Sequence, residues 1–295
     1  MITPARHRTR TRALATACAL AAALTACGTT QSTPSASAPT PERTPAASSA
    51  PPAKAPAPSP PPTLAAGPAG LTPVFEHAPR GKDRTVALTF DADMTSDQGE
   101  RAANGEHFDN PALISTLRSL KIPATVFMTG RWAEEYPDQA RSIGRDPLFE
   151  VANHSYSHHA FTSDCYGLPT VPEAGMKEDV EKAYAAFRKA GVPHAMPYFR
   201  FPGGCYDKTA LRALSATGVT AVQWDVVSGD AFATDADAVA RQVLDGVKPG
   251  SVVVMHCTRS AAPTTERALR TIVPELRRQG YRFVKVSEQI RAAVG

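Results

Sequence analysis

The segment 154–159 reads HSYSHH and holds three of the eight histidines of the chain. His154 and His158 are four residues apart, a spacing at which one turn of helix or a tight loop could direct both imidazoles to one ion. Two histidines do not complete a metal site, because a catalytic zinc ion takes three protein ligands and a water. The segment therefore predicts a metal site only if another part of the chain supplies a further ligand.

A pair of carboxylates lies earlier in the chain. Residues 85–90 read TVALTF, which is typical of a buried strand, and Asp91 and Asp93 come directly after it. Two carboxylates at this spacing can divide the binding of a cation and the removal of a proton between them. An aspartate pair also occurs as an ordinary turn or helix cap, so its meaning depends on the rest of the site.

Polar residues also follow three later predicted strands. The strand at 149–152 leads into the histidine segment, the strand near Tyr198 leads into the RFPGG segment 200–204, and the strand 251–256 ends on His256. In sheets of this kind, binding and catalytic residues gather just past the carboxyl ends of the strands. Each exit alone has an ordinary structural explanation, but four such exits in chain order indicate one shared site.

The elements that must position these residues alternate along the chain. Strands are predicted at 85–90, 124–128, 149–152, near 198, and at 219–224, 251–256 and 282–286, and helices after a cap at 109–111 and at 173–190, 208–216, 236–245 and 265–279. This alternation predicts an α/β fold of about seven strand–helix units with a parallel sheet, open or closed into a barrel.

The start of the chain predicts export. Residues 6–12 hold four arginines, and residues 13–24 are almost purely apolar but too short to span a bilayer, which is typical of a secretory signal. The stretch ends in LTAC, which resembles the lipobox of bacterial lipoproteins. We therefore expect a signal peptide over residues 1–26 and a lipid anchor on Cys27 at the extracellular face of the cell membrane. A secreted protein with a chance cysteine is the alternative.

Composition separates a linker from the folded domain. Residues 27–82 are rich in Pro, Ala, Ser and Thr, which predicts a stiff, disordered linker before a domain over residues 83–295. The formal charge of +4 is matched by the four arginines of the signal, so the mature chain is near neutral. Without a basic patch interleaved with aromatics, we expect no nucleic-acid partner, and we expect a monomer.

Three cysteines fall in the predicted domain, namely Cys165, Cys205 and Cys257. An exported protein resides where disulfides form, so we expect one disulfide and one free thiol. Cys205 with Cys257 is the first expectation, because both follow predicted site residues. The sequence leaves the pairing open.

From about residue 83 to residue 295 the chain resembles the NodB-homology polysaccharide deacetylases, carbohydrate esterase family 4. Residues 89–91 (TFD) resemble the first motif of the family, 154–158 match HSxxH, 200–204 match RxPxG, and 254–256 (VMH) approximate LxH. The resemblance implies a distorted (β/α) barrel that binds one divalent metal through an Asp-His-His triad, with Zn²⁺ as the default and Co²⁺ or Mn²⁺ as alternatives.

The resemblance also implies a role for single residues. His154 and His158 map onto metal ligands, Asp91 onto the catalytic base and His256 onto the catalytic acid. Two further residues support the reaction, since Arg200 maps onto the residue that holds the base, and Gly203 onto the backbone N–H that stabilises the oxyanion. The implied reaction is attack on an acetamide by a metal-activated water.

The first motif departs from the family pattern. The family usually has TFDD with the second aspartate as metal ligand, but Ala92 stands there in this chain. We therefore predict Asp93 as the ligand and Asp91 as the base, and the inverse assignment stays open.

The fourth motif, DxxDW, departs as well, because Val227 replaces its first aspartate. In a strand, Asp225 shares a face with Val227, so we expect Asp225 to be the carboxylate partner of His256. Asp230, which keeps the second aspartate of the motif, is the second candidate. A third departure is Gly203, which replaces a tyrosine common in the third motif.

The resulting hypothesis is a hydrolase that removes acetate from N-acetylated cell-wall polysaccharide, of the peptidoglycan type or chitin-like. The export signal, rather than any site residue, favours peptidoglycan. The alternatives are an O-acetyl xylan esterase, a hydrolase of small cyclic amides, and a non-catalytic glycan-binding protein.

Overall fold

The structure is a computed structural model that describes residues 60–295. The predicted signal peptide, the lipobox with Cys27 and the linker up to residue 59 lie outside the described residues. From residue 60 onward, none of the helices has both the length and the apolar character needed to cross a bilayer.

The described residues form one parallel sheet that curls into a half-barrel with helices around it, which confirms the predicted fold class. The strand order is β1-β6-β5-β4-β3-β2-β8-β7, and β9 pairs with the start of β2. The sheet has nine strands rather than about seven, because β1 and β7 are two residues long and leave no periodic pattern. The strands are β1 Val74–Phe75, β2 Thr85–Ala92, β3 Ala124–Met128, β4 Phe149–Asn153, β5 Ala195–Phe199, β6 Thr220–Val222, β7 Val226–Val227, β8 Ser251–His256 and β9 Arg282–Phe283.

The helices follow most of the predicted amphipathic stretches. The α5 helix ends at Gly191, whose φ of +84° suits a residue without a β-carbon. The α2 helix begins after Asn110, whose side chain accepts the Leu113 N–H. The helices are α1 Gly99–Ala103, α2 Pro111–Ser119, α3 Gly130–Glu135, α4 Pro137–Gly144, α5 Glu173–Ala190, α6 Lys208–Leu214, α7 Ala236–Gly246, α8 Thr265–Arg278 and α9 Val286–Val294.

The predicted linker is wrong over residues 60–82, because this segment packs on the domain. β1 pairs with β6, the Leu64 N–H donates to Thr220 Oγ1 (3.1 Å), and Tyr198 Oη donates to the Pro62 carbonyl (2.8 Å). A few apolar side chains in a proline-rich stretch are enough to add an edge strand, although they are too sparse to give a sequence pattern.

The central strand β2 shows why the site lies where it does. Val86, Leu88 and Phe90 pack against the surrounding helices, whereas Ala87 belongs to a second apolar cluster that includes Ile290 of α9. Thr89 and Asp91 share the face of Ala87, because side chains alternate along a strand. The same face of β2 is therefore apolar near its start and polar at its carboxyl end.

Candidate active site

Arg200 and Asp91 form a buried ion pair at the carboxyl end of the sheet. Arg200 comes directly after β5 and is fully buried, and its Nη1 donates to Asp91 Oδ1 (2.7 Å) and to Thr89 Oγ1 (2.8 Å). Its guanidinium carbon lies 3.9 Å from the ring centroid of Phe127, and burial lowers the pKa of Arg200. The predicted pair is thus brought together, and the Asp91 carboxylate is held in one orientation.

His154 lies against the same ion pair. Its Nδ1 is 2.9 Å from the Arg200 carbonyl oxygen, and its Nε2 is 3.7 Å from Asp91 Oδ2. Since a carbonyl only accepts, the Nδ1 nitrogen carries the proton in this contact, and the Nε2 lone pair is left toward Asp91. A histidine fixed in this tautomer by a backbone carbonyl is typical of a metal ligand.

Asp93 and His158 form the next pair, with His158 Nε2 3.8 Å from Asp93 Oδ2. Burial lowers the pKa of His158 to about 4, so its imidazole is neutral at neutral pH. Burial alone would raise the pKa of Asp93, but His158, His256 and a hydrogen bond from the Thr258 hydroxyl outweigh it and lower that pKa. A neutral imidazole and an ionised carboxylate are the forms that bind a cation.

The loop after β4, not a helix, carries the two histidines. Ser155 and His158 both have positive φ, +70° and +56°. The Ser155 hydroxyl accepts the His158 N–H (2.8 Å), and the Ser157 hydroxyl accepts the His159 N–H (3.2 Å). Both serines therefore shape the loop by hydrogen bonds to its backbone.

The donor atoms of Asp93, His154 and His158 suit a divalent cation in type. Within this set, His158 Nε2 and Asp93 Oδ2 are 3.8 Å apart, close to the spacing of about 3.4 Å between two ligands of one tetrahedral zinc ion. His154 Nε2 lies 3.7 Å from Asp91 Oδ2 instead. The two imidazole centroids lie 5.0 Å apart, and among residues 60–295 no three acidic, histidine or cysteine side chains have converged as a formed metal cluster. The types of donor atom therefore suit a metal ion. In the structure these side chains approach each other in two separate pairs, His154 with Asp91 and His158 with Asp93.

His256 ends β8, and its partner is Asp230. Asp230 Oδ1 accepts from His256 Nδ1 (2.7 Å), and Asp230 Oδ2 accepts the His256 N–H (2.8 Å). Ser228 and Thr265 hydroxyls donate to the same carboxylate, at 2.9 and 2.6 Å. Burial alone would lower the pKa of His256, but the hydrogen bond and charge of Asp230 raise it to about 10. His256 is therefore protonated at neutral pH.

The prediction that Asp225 is the partner of His256 is wrong. Asp225 Oδ1 accepts the Val252 N–H (2.7 Å), and its Oδ2 accepts from the Ser251 hydroxyl (2.8 Å) and from Arg80 Nη2 (2.6 Å). Ser251 begins β8 and His256 ends it, so Asp225 lies at the other end of the strand. The expectation relied on strand alternation between Asp225 and Val227, but Asp225 precedes the two-residue strand β7 and lies outside it.

Gly203 lies in the tight turn after Arg200, with φ +66°. The expected Cys205–Cys257 disulfide is wrong, because Cys205 is bonded to Cys165, and Cys257 is a buried free thiol. A β-carbon at position 203 would lie 2.5 Å from Cys165 Sγ, so the disulfide covers the space a side chain would take. Burial raises the pKa of the Cys257 thiol to about 12, which makes it unreactive.

Sequence reasoning missed Thr258, which lies two residues past His256 and hydrogen-bonds the Asp93 carboxylate. Its position just after a strand exit was the available signal. The hydroxyls of Ser228 and Thr265 left no sequence signal, because Ser228 follows β7, Thr265 begins α8, and only the folded chain brings both to Asp230.

Comparisons with known proteins find similarity to polysaccharide deacetylases. Residues 78–222 match the family profile described as polysaccharide deacetylase. Over 210 residues the chain is 28% identical to a chitooligosaccharide deacetylase of Bradyrhizobium sp. (strain ANU 289), covering 67% of this chain and 87% of that relative. Over 211 residues it is 28% identical to a peptidoglycan-N-acetylglucosamine deacetylase of Bacillus cereus, covering 70% and 69%.

A solved structure shares the fold. The wild-type CE4 family pseudoenzyme from Bacillus anthracis has a TM-score of 0.61 and 22% identity to this chain, covering 77% of this chain and 70% of that one. At this identity the likeness shows the architecture alone.

Proposed function

Residues 78–222 belong to the NodB-homology polysaccharide deacetylase family, and from this premise we propose that the protein is a hydrolase that removes acetyl groups from N-acetylated cell-wall polysaccharide. One observation carries the proposal. A carboxylate fixed by Arg200 and a protonated histidine fixed by Asp230 lie at the same edge of the sheet, with His154, His158 and Asp93 beside them. Amide hydrolysis needs such a base and such an acid.

Asp91 is the proposed base. Its Oδ1 accepts from Arg200 Nη1, which leaves Oδ2 to take a proton from the attacking water. Arg200 is a positioning residue in this proposal, because it contacts Asp91 rather than the reacting atoms. Because Arg200 is fully buried, water does not compete for its hydrogen bond to Asp91.

His256 is the proposed acid. Its Nδ1 is engaged by Asp230, so Nε2 is the nitrogen that can give a proton to the departing amine. The Gly203 N–H is the proposed donor to the oxyanion. The Cys165–Cys205 disulfide supports the turn that presents it.

Asp93, His154 and His158 would hold one divalent cation, Zn²⁺ by default or else Co²⁺ or Mn²⁺. When bound, such an ion supplies a Lewis acid that polarises the acetyl carbonyl and acidifies water. The ionised Asp93, the neutral His158 and the fixed tautomer of His154 support this assignment.

The proposed substrate is peptidoglycan or a chitin-like glycan. The named activities of the Bradyrhizobium and Bacillus cereus relatives support an N-acetylated sugar. We also propose that the protein is a monomer anchored by lipid on Cys27 at the extracellular face of the membrane, on the sequence signal alone.

A second candidate is a glycan-binding protein without activity. The chain shares its fold with a protein described as a pseudoenzyme, so this fold by itself does not imply activity. This likeness supports a glycan-binding protein as the second candidate. The two candidates differ in one observable, the release of acetate.

The test is acetate release by the mature chain from chitooligosaccharides, peptidoglycan and acetylated xylan, together with its metal content. Asp91→Asn should abolish acetate release and keep the metal, whereas Asp93→Asn should lose most of the metal. Asp225→Asn is the matched control, because it changes a carboxylate at the opposite end of the sheet. Metal-loaded protein that binds glycan but is inert on all three substrates would favour the second candidate.

A further inference from the structure

Exposed apolar side chains gather at one end of the molecule. Among the described residues, four large hydrophobic side chains are mostly exposed, namely Tyr166 (88%), Phe232 (84%), Val227 (53%) and Val294 (54%). Val294 lies at the end of the last helix, whereas the first three lie in or beside the loops at the carboxyl edge of the sheet. Two of these side chains are aromatic, and an exposed aromatic ring beside a site can contact the apolar face of a ligand.

Tyr166 stands beside the proposed oxyanion donor. Its ring would lie 3.4 Å from a β-carbon at Gly203, and its neighbour Cys165 is bonded to Cys205 in the same turn. The loop is closed at its base, where the Ala160 N–H donates to the Pro169 carbonyl (2.7 Å). The loop that carries Tyr166 is therefore held in place by the disulfide and by this hydrogen bond.

Phe232 stands beside the proposed acid. It lies two residues after Asp230, and its N–H donates to the Ala261 carbonyl (2.6 Å). The Ala261 N–H donates in turn to the carbonyl of Thr258, the residue that hydrogen-bonds Asp93. The Phe232 loop is therefore connected to both His256 and Asp93.

The strand order separates the two rings. Tyr166 is tied to the turn after β5, and Phe232 follows β7 and contacts the loop after β8. Strands β4, β3 and β2, which carry the histidine loop and the aspartates, lie between β5 and β8. The two exposed rings therefore flank the proposed reaction centre.

Both aromatic residues also adopt left-handed backbone conformations, with φ of +52° for Tyr166 and +60° for Phe232. Residues with a β-carbon are uncommon there, and such strain collects at functional sites. The fold thus retains two exposed rings in an unfavourable backbone conformation.

We infer that Tyr166 and Phe232 each bind a sugar ring, on the two sides of the sugar that is deacetylated. The ligand class is an extended glycan of at least three consecutive sugars, whose apolar ring faces stack on the aromatic side chains. This inference rests on the proposed function, and it adds the two residues that hold the sugars on either side of the one that is deacetylated.

The test measures kcat and KM on N-acetylglucosamine oligomers from the dimer to the hexamer, and on a small chromogenic acetate ester. Tyr166→Ala and Phe232→Ala should each lower kcat/KM on the hexamer about tenfold, mainly through KM, as loss of one aromatic contact predicts. The dimer and the ester should change less than about twofold. Tyr166→Phe and Phe232→Tyr should restore the long-substrate rate, and Val294→Ala is the control for loss of exposed apolar surface.

Equal losses on the hexamer and the dimer, or no loss on either, would overturn the inference. A wild-type chain that releases no acetate from any glycan would overturn the proposed function instead. In that case calorimetric binding of the hexamer to wild-type and variant chains decides the inference separately. Weaker binding by both alanine variants supports it, and unchanged binding overturns it.

Discussion

The two ends of strand β8 are each held by an aspartate from the same short segment, and only one of them belongs to the site. Asp225 hydrogen-bonds Ser251 and Val252 at the amino end, and Asp230 hydrogen-bonds His256 at the carboxyl end. At the amino end the carboxylate fixes backbone and a hydroxyl. At the carboxyl end the Asp230 carboxylate raises the pKa of His256, so that the imidazole is protonated at neutral pH. This aspartate therefore affects the proposed reaction as well as the fold.

The two ends of the sheet also differ in their arginine–aspartate ion pairs. Arg80 lies 2.6 Å from Asp225, with 36% of its side chain exposed, and Arg200 lies 2.7 Å from Asp91, with none exposed. The two distances are nearly equal, so burial makes the difference. A partly exposed pair is screened by water, whereas a buried carboxylate without its partner is strongly unfavourable.

The largest expected effect comes from breaking the buried pair. Arg200→Met should lower the free energy of unfolding by about 3–5 kcal/mol, because Asp91 is left buried without a counter-charge. Arg80→Met, the control at the other end, should cost less than about 1 kcal/mol. Urea unfolding followed by circular dichroism measures both. Equal losses of unfolding free energy in the two variants would show that burial of the Arg200–Asp91 pair does not make it more important for stability than the Arg80–Asp225 pair.

Removing the disulfide at the carboxyl edge should have the next largest effect. Cys165 and Cys205 are 40 residues apart, and closing a loop of that length stabilises a fold by about 4 kcal/mol in the chain-entropy description. The double change Cys165→Ala and Cys205→Ala should approach this loss in urea unfolding. The buried Cys257 is the control, since Cys257→Ala tests a cysteine outside the bridge. A double variant as stable as wild type would mean that the tether contributes little.

The pH dependence of the reaction separates Asp225 from Asp230, the two aspartates that hydrogen-bond β8. Asp230 raises the pKa of His256 to about 10, so the acid stays protonated through neutral pH and its titration lowers the rate only on the alkaline side. Asp230→Asn removes the strongest interactions that raise the pKa of His256 and leaves the lowering effect of burial against the weaker raising charges of Asp93 and Asp91, so the alkaline limb should move to lower pH. At pH 8 the rate should fall by about 10- to 100-fold.

The matched control for this profile is Asp225→Asn, which should leave the alkaline limb in place. The rate of acetate release between pH 6 and pH 10 is the measurement. An unmoved limb in the Asp230 variant would remove His256 from the role of acid, and a moved limb in the Asp225 variant would contradict the separation of the two ends.

The sequence predicted those elements whose signals are local. Strands β3 and β8 and helix α5 have the predicted bounds, because apolar runs, a glycine stop and strand length act within a few residues. The four strand exits also meet, because parallel strands bring their carboxyl ends to one edge.

The remaining features depend on partners distant in sequence. Asp225 lies just before β7, so strand alternation does not apply to it, and its contacts at the start of β8 are set by partners distant in sequence. The pairing of Cys165 with Cys205 follows from the loop that covers Gly203, and no spacing rule specifies it. The packing of residues 60–82 likewise depends on an open edge at β6.

The smallest expected effect concerns the backbone strain at Phe232, whose φ is +60°. This residue lies at the carboxyl edge of the sheet, beside the proposed site. Phe232→Asn should raise the free energy of unfolding by about 0.5–1 kcal/mol, because asparagine tolerates a positive φ better than phenylalanine. Phe232→Ala keeps a β-carbon at the same φ and loses little buried surface, so its stability should stay within about 0.5 kcal/mol of wild type. Thermal unfolding of both variants, beside their kcat/KM on the hexamer, separates strain from sugar binding. Both variants lack the ring and should lose the long-substrate rate alike, while only the asparagine variant gains stability. If Phe232→Ala gains as much stability as Phe232→Asn, the exposed ring of Phe232, and not its backbone conformation, is what destabilises the wild-type protein.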